Sequence, residues 1–208
     1  MTKTQGLKIY VLTGLIIFTL LLIIVYIMLP GGKPVTFIKT DQIYDIIEDG
    51  DIICRLGDRL WSAMFKDFSI EDKRFSHIGI IQIVNDQVNV IHAEGTTKPE
   101  KDFVKAEPLA DFLKVARSIG IYRLDNIKKN KISDLAMEYI NVPFDWQFDM
   151  SDESKLYCTE LLYVVLKRLM PDLELRTIFV KEIKKDIIPI DSISNSEYFS
   201  EILFISNL

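Results

Sequence analysis

Hydrophobic residues run unbroken in one part of this chain, alternate in others, and recur at helical spacing elsewhere. Each pattern predicts a different element. Residues 9 to 29, IYVLTGLIIFTLLLIIVYIML, carry no charge. As a helix this stretch would span about 31 Å, near the hydrocarbon thickness of a bilayer. Tyr10 and Tyr26 fall near its ends, where aromatic rings favour the membrane interface. A buried core helix would show a polar stripe, and there is none. A cleaved signal peptide would have a shorter apolar core and small residues at a cleavage site, whereas MLPGGKP follows here. The reading is a short cytoplasmic amino end (1–8), then an uncleaved transmembrane helix (9–29). Lys3, Lys8 and the amino terminus precede the span, with Lys33 close behind it and Lys39 further on. By a single charge, the positive-inside tendency puts the rest of this single-pass membrane protein outside the cytoplasm.

The Pro and Gly of PGGKP make residues 30–35 a linker. One domain then runs over 36–208. IEDGDIICRLG predicts a turn at Asp49-Gly50 and a short strand through Ile53, and RLWSAMF a short helix. SHIGIIQIV and QVNVIHAE read as two strands joined at Asn85-Asp86, a favoured hairpin pair. ADFLKVA and KISDLAMEYI are spaced as helices, with the strand-like SIGIYRL between them. YCTELLYVVLKRLM is the clearest helix: Leu161, Leu162, Val165, Leu166 and Leu169 share one face, and Pro171 ends it. The tail predicts a cap and a closing strand. Strands and helices mix without regular alternation, so the class is α+β.

Composition narrows the function. Of the 208 residues, 49% are hydrophobic and 26% charged, as in a globular protein. A net charge of -5 without a basic patch excludes a nucleic-acid binder. Two cysteines are too few for a disulfide framework, and no Cys/His spacing suggests zinc; neither metal nor cofactor is expected.

The two histidines, His77 and His92, both fall in the predicted hairpin. With Asn85-Asp86 as a two-residue loop, His77 lies opposite Glu94 and His92 one diagonal step away. A shift of the centre by one residue sets His77 opposite His92. Either way all three side chains share a face, whereas a three-residue loop would separate them. A lone strand histidine ordinarily makes one structural hydrogen bond, and a buried cysteine is ordinarily inert. Cys54, inside DIIC, fits that description. Cys158 stands instead at a helix start, where free N–H groups and the dipole stabilise a thiolate or an oxyanion. The chemistry that follows is attack by Cys158 on a carbonyl, with His77 as base and His92 or Glu94 orienting its ring.

The ordered series GDII, SHIGI, VIHA, NVPFDWQF and YCTELLY resembles the permuted papain-like amidases of the YiiX/YaeF type, within the NlpC superfamily of cysteine hydrolases. The resemblance covers nearly all of the domain. It implies a circularly permuted papain-like fold, a small antiparallel sheet packed on helices, with histidine ahead of cysteine in the chain. It also implies His77 as general base, Cys158 as nucleophile and His92 as the third residue. Members of the YiiX type often carry glutamate at that third place, whereas the lecithin retinol acyltransferase group carries histidine in a similar setting. The expected function is a membrane-anchored cysteine hydrolase cleaving an amide or ester through an acyl-enzyme. The exported orientation suits cell-wall peptides, and the anchor suits a lipid or lipopeptide. A silent binding module on the same fold is the alternative from another class, but it would have no chemical reason to hold Cys158, His77 and a polar third residue together.

Overall fold

In the computed structural model, residues 38–58, 65–96, 99–124 and 130–207 are described, together with position 19. The predicted span 9–29 otherwise lies outside them, as does most of the expected RLWSAMF helix. Among the described residues no helix is long and apolar enough to cross a membrane. The chain divides into two units, Met1–Val35 and Thr36–Leu208, and the fold is that of the second.

Its centre is a six-stranded antiparallel sheet built from β1 (Ile52–Gly57), β2 (His77–Val84), β3 (Gln87–Glu94), β4 (Phe103–Pro108), β5 (Ala116–Leu124) and β8 (Phe199–Ser206), in the order β4-β3-β2-β1-β5-β8. A two-stranded ribbon, β6 (Ile178–Val180) with β7 (Lys185–Ile187), stands apart from it. Four α-helices are described: α1 (Leu109–Leu113), α2 (Asn130–Met137), α3 (Cys158–Leu169) and α4 (Asp191–Ser194). β1 continues to Gly57 rather than ending near Ile53. β4 is a strand that the hydrophobic pattern does not announce, because Lys105 and Glu107 interrupt its apolar run and Pro108 closes it.

The hairpin register decides where the candidate residues go. Val84 pairs with Gln87, and pairing continues in step to Ile80 with Ile91. Asn85 and Asp86 both have positive φ (50° and 61°), the backbone of a two-residue turn whose twist suits the hairpin.

Both faces of the sheet are covered, which explains why β2 shows a continuous apolar run instead of clean alternation. On one face Ile52, Cys54, Ile78, Ile80 and Ile91 pack in a core with Leu161, Leu162 and Val165 of α3. On the other, Ile53, Ile81, Val90, Ile119 and Ile121 pack with Phe112 and Leu113 of α1 and with Ile43 and Ile47. Each fully buried isoleucine contributes about 1.5–3 kcal/mol relative to an exposed one. Far along the chain, the Asp191 carboxylate accepts hydrogen bonds from the backbone N–H groups of Ile70, Glu71 and Asp72 (2.8, 2.7 and 3.2 Å) and so holds the segment that follows β1.

Candidate active site

A cleft of about 620 Å³ opens where β1 ends, β2 begins and β3 ends. His77 and Cys158 both line it. They arrive from different directions. Cys158 is the first residue of α3, the helix on one face of the sheet. His77 is the first residue of β2, and its ring leans toward the other face, 5.9 Å from that of Phe112. The sheet end is where the two faces meet. The thiol lies against the start of β2, where the backbone N–H of Ile78, next to His77, reaches the sulfur.

His77 Nε2 and His92 Nδ1 are 2.7 Å apart, with the rings nearly perpendicular. His92 is wholly buried, and its Nε2 lies 3.0 Å from Glu107 Oε1, out of line with the ring N–H. Glu94, the alternative partner, turns elsewhere. Its carboxylate accepts from Arg55 Nη2 (2.9 Å) and Lys105 Nζ (2.7 Å). Lys105 also reaches Glu107 Oε2 at 3.0 Å, and Arg55 Nη1 donates to the Phe112 carbonyl while its guanidinium lies over that ring. Gly79 makes the arrangement possible: a Cβ there would come within 2.5 Å of Val90 Cγ1 and 3.2 Å of His92 Cβ.

Burial dominates the protonation of the pair. It pushes the Cys158 thiol up to about 11, against the backbone N–H groups of Ile78, Thr159 and Cys158 itself and the charge of Arg55, which favour the thiolate. Burial, then Arg55 and His92, hold the His77 imidazole well below its ordinary value. His92 is also lowered, chiefly by burial and against the pull of Glu107. Burial thus opposes the thiolate that the helix start favours, while both Cys158 and His77 keep some exposure in the cleft. Cys54, wholly buried within β1, is raised by burial as well and lines no cleft.

Much of the remaining lining is aromatic: Phe65, Phe68, Phe144, Trp146, Phe148 and Tyr157. Trp146 Nε1 donates to Asp102 Oδ2 at 2.8 Å, and its ring stacks edge-on to Phe144 at 5.0 Å. Gly95 leaves room for both rings, since a Cβ there would meet Trp146 at 2.7 Å and Phe144 at 2.9 Å. Ile187 to Ile190 complete the lining. They are fixed by Ile188, whose N–H donates to the Tyr157 hydroxyl (3.0 Å) and whose carbonyl accepts from Thr159 Oγ1 (2.6 Å).

Residues 47–189 match the family described as permuted papain-like amidase enzyme, YaeF/YiiX, C92 family. The chain belongs to that family. As a permuted papain-like amidase it is a cysteine hydrolase, with the permuted papain-like α+β fold and an antiparallel sheet. Its structure is similar to that of the metalloprotein YiiX from Escherichia coli O157:H7, with a TM-score of 0.64 at 15% identity, over 77% of this chain and 99% of that one. Among curated proteins none matches the chain.

For this amidase, the sequence reading missed Glu107, Arg55 and Lys105. Glu107 could be found only by placing β4 first. Its register puts Lys105 beside His92 and Glu107 beside Val90, on the face the histidines share. His92, Glu94 and Glu107 offer ligand atoms within 4.8 Å of one another, but both carboxylates already hold Lys105.

Proposed function

We propose that this chain is a membrane-anchored cysteine hydrolase that removes an apolar acyl group from an amide or ester, with Cys158 as nucleophile, His77 as base and His92 orienting it. The observation that carries the reading is the cleft: the Cys158 thiol and the His77 imidazole share its lining with six aromatic side chains and Ile187 to Ile190, beside a smaller polar set that includes Arg55, Asp58, Glu94 and Thr96. Sites of this size and lining take apolar ligands with a few polar groups for orientation. A cell-wall peptide is dense in amides and carboxylates, whereas most of the cleft's lining area is apolar. The lining therefore favours a lipid or lipopeptide. The uncharged stretch 9–29, with its flanking lysines, supports an anchor at the membrane and an extracytoplasmic domain.

In the reaction, His77 takes the thiol proton as Sγ attacks the carbonyl carbon. The oxyanion forms beside the free N–H groups at the start of α3. Collapse expels the amine or alcohol, which takes the proton back from His77 and leaves a thioester on Cys158. Water, deprotonated by His77, then attacks the thioester and releases the acid and the thiol.

YiiX is described as a metalloprotein. In this chain the clustered donors His92, Glu94 and Glu107 do not fit a cation: Lys105 stands 2.7 Å from Glu94 and 3.0 Å from Glu107, and Arg55 2.9 Å from Glu94, so like charges already fill the cluster. No step is routed through a metal.

The test is a series of 4-nitrophenyl esters, from acetyl to long-chain acyl, offered to the full chain in detergent micelles. The expected result is kcat/KM rising at least tenfold with acyl length. A thioester mass should appear on Cys158 and be absent in Cys158→Ala. Turnover indifferent to chain length, or a preference for a muropeptide amide, would overturn the lipid reading.

A further inference from the structure

We propose that Glu107 is a positioning residue which, acting through His92, fixes the nitrogen of His77 that is free to take the Cys158 proton. This rests on the hydrolase reading above. The argument follows protons along three side chains. An ionised carboxylate only accepts hydrogen bonds, so the His92 nitrogen facing it must carry the hydrogen. That nitrogen is Nε2, which lies 3.0 Å from Glu107 Oε1 but off the N–H axis, so the carboxylate favours the hydrogen there by its charge at contact distance rather than by an aligned hydrogen bond. A neutral imidazole has a single N–H, so His92 Nδ1 keeps its lone pair. His77 Nε2, 2.7 Å away, must then be the donor. The proton of His77 is thus placed on Nε2, and its Nδ1 is left bare to receive the proton of the thiol.

Two further observations make Glu107 the origin of this order. His92 is fully buried, so no bulk water competes for Nε2. Glu107 stays ionised: burial would raise its carboxyl, but His92 and Lys105 hold it down to about 2. Every charged or titratable group facing the histidine pair has an assigned place. Arg55 comes from β1, Glu94 from β3, and Lys105 and Glu107 from β4, with the uncharged Phe112 ring of α1 closing the side. Glu94 is directed to Arg55 and Lys105, and among the described residues Glu107 is the carboxylate that comes within 3.0 Å of an imidazole nitrogen. Without Glu107, either His92 tautomer becomes available. The one with Nδ1–H would confront His77 Nε2 as a second donor and force the His77 hydrogen onto Nδ1, where it blocks the thiol.

The chain holds only two histidines, so 15N-histidine labelling of the full chain in micelles reads both tautomers directly. Expected for the unaltered chain are Nε2–H on both rings. In Glu107→Leu, His92 should lose its fixed tautomer and kcat should fall about a hundredfold at nearly constant KM, as for loss of an orienting group. Should Glu107→Leu fail to fold, Glu107→Gln serves. It keeps the acceptor and the shape but removes the charge, so its acid limb should move to lower pH and its kcat fall about tenfold. Unchanged histidine spectra and unchanged kcat in a folded variant would overturn the proposal, as would a fall in thermal stability with no change in the pH profile. Fixed Nε2–H tautomers that Glu107→Leu releases, in a chain without hydrolase activity, would leave the assignment standing and sink the hydrolase reading instead.

Discussion

The two walls of the cleft are built by different means. The polar wall presents Arg55 of β1, His77 of β2 and Glu94 of β3 to the cleft, and β4 backs it with Lys105 and Glu107, which tie into the same charges. The aromatic wall draws on loop backbone around 144–148 and 188–190, where Phe148 adopts a positive φ of 52°, one side-chain hydrogen bond holds Trp146 and two hold the Ile188 backbone. Proton transfer tolerates errors of a few tenths of an ångström poorly, and a rigid sheet supplies that precision. An apolar pocket needs area and shape more than exact angles, and loops over a scaffold can supply and vary these. On the proposed reading, the difference assigns rate to one wall and selectivity to the other.

The largest effects should come from breaking the polar wall. His77→Ala should lower kcat about a thousandfold, and His92→Ala about a hundredfold. Glu94→Ala should change kcat less than about fivefold, yet cost roughly 1–3 kcal/mol of stability, because Arg55 and Lys105 lose a buried partner. Steady-state kinetics and thermal unfolding of the three variants separate the roles. A dead Glu94→Ala beside a normal His92→Ala would reverse the assignment.

A smaller effect is expected on the aromatic wall. Gly95→Ala would drive its methyl into Trp146 and Phe144. It should lower kcat/KM for a long-chain ester about tenfold while leaving the acetyl ester nearly untouched. Equal losses on both esters would mean that the wall acts on chemistry rather than on selection.

The smallest effect is a pH dependence of stability, and its sign follows from the buried imidazoles. His77 and His92 are held below their ordinary value of 6.5, chiefly by burial, so the folded chain binds protons there less readily than the unfolded chain. Their contribution is complete above about pH 6.5 and is lost as pH falls toward the folded values. Glu94 and Glu107, held to about 2, contribute above 4.5 and lose that only under stronger acid. Thermal midpoints should therefore fall by several degrees from pH 7.5 to 5, then further below 4. A flat profile from 7.5 to 5 would show that the imidazoles are hydrated, and the dry polar wall would be lost as a description.

How much of this was legible depends on the range of the interactions. The hairpin could be read because Asn85-Asp86 is a local turn signal and side-chain alternation then carries both histidines to one face. The thiol could be located because a helix start is visible in its apolar spacing. Glu107 was not legible, because its strand is an edge with charges and proline, and its meaning depends on a neighbour found only by register. The height of the thiol pKa was equally hidden. Sequence shows the dipole, which is local, but not the burial, which the whole fold creates. The aromatic wall lay in plain view in NVPFDWQF as composition. That Phe144, Trp146 and Phe148 face the thiol depends on the backbone of that turn.

Asp191 sets a timetable for this chain. Phe65 and Phe68 leave the ribosome long before the carboxylate that holds the neighbouring backbone, which stands 121 residues after Ile70. At about 5–20 residues per second, that interval is on the order of ten seconds. Ile187 to Ile190, part of the same cleft, are made just ahead of Asp191. Through those seconds the nascent chain carries a complete histidine hairpin and then a thiol, but no enclosed pocket around them. A chain cut short before residue 187 would keep Cys158, His77 and His92 but lack Ile187 to Ile190, which line the cleft, and on the proposed reading it should bind substrate poorly.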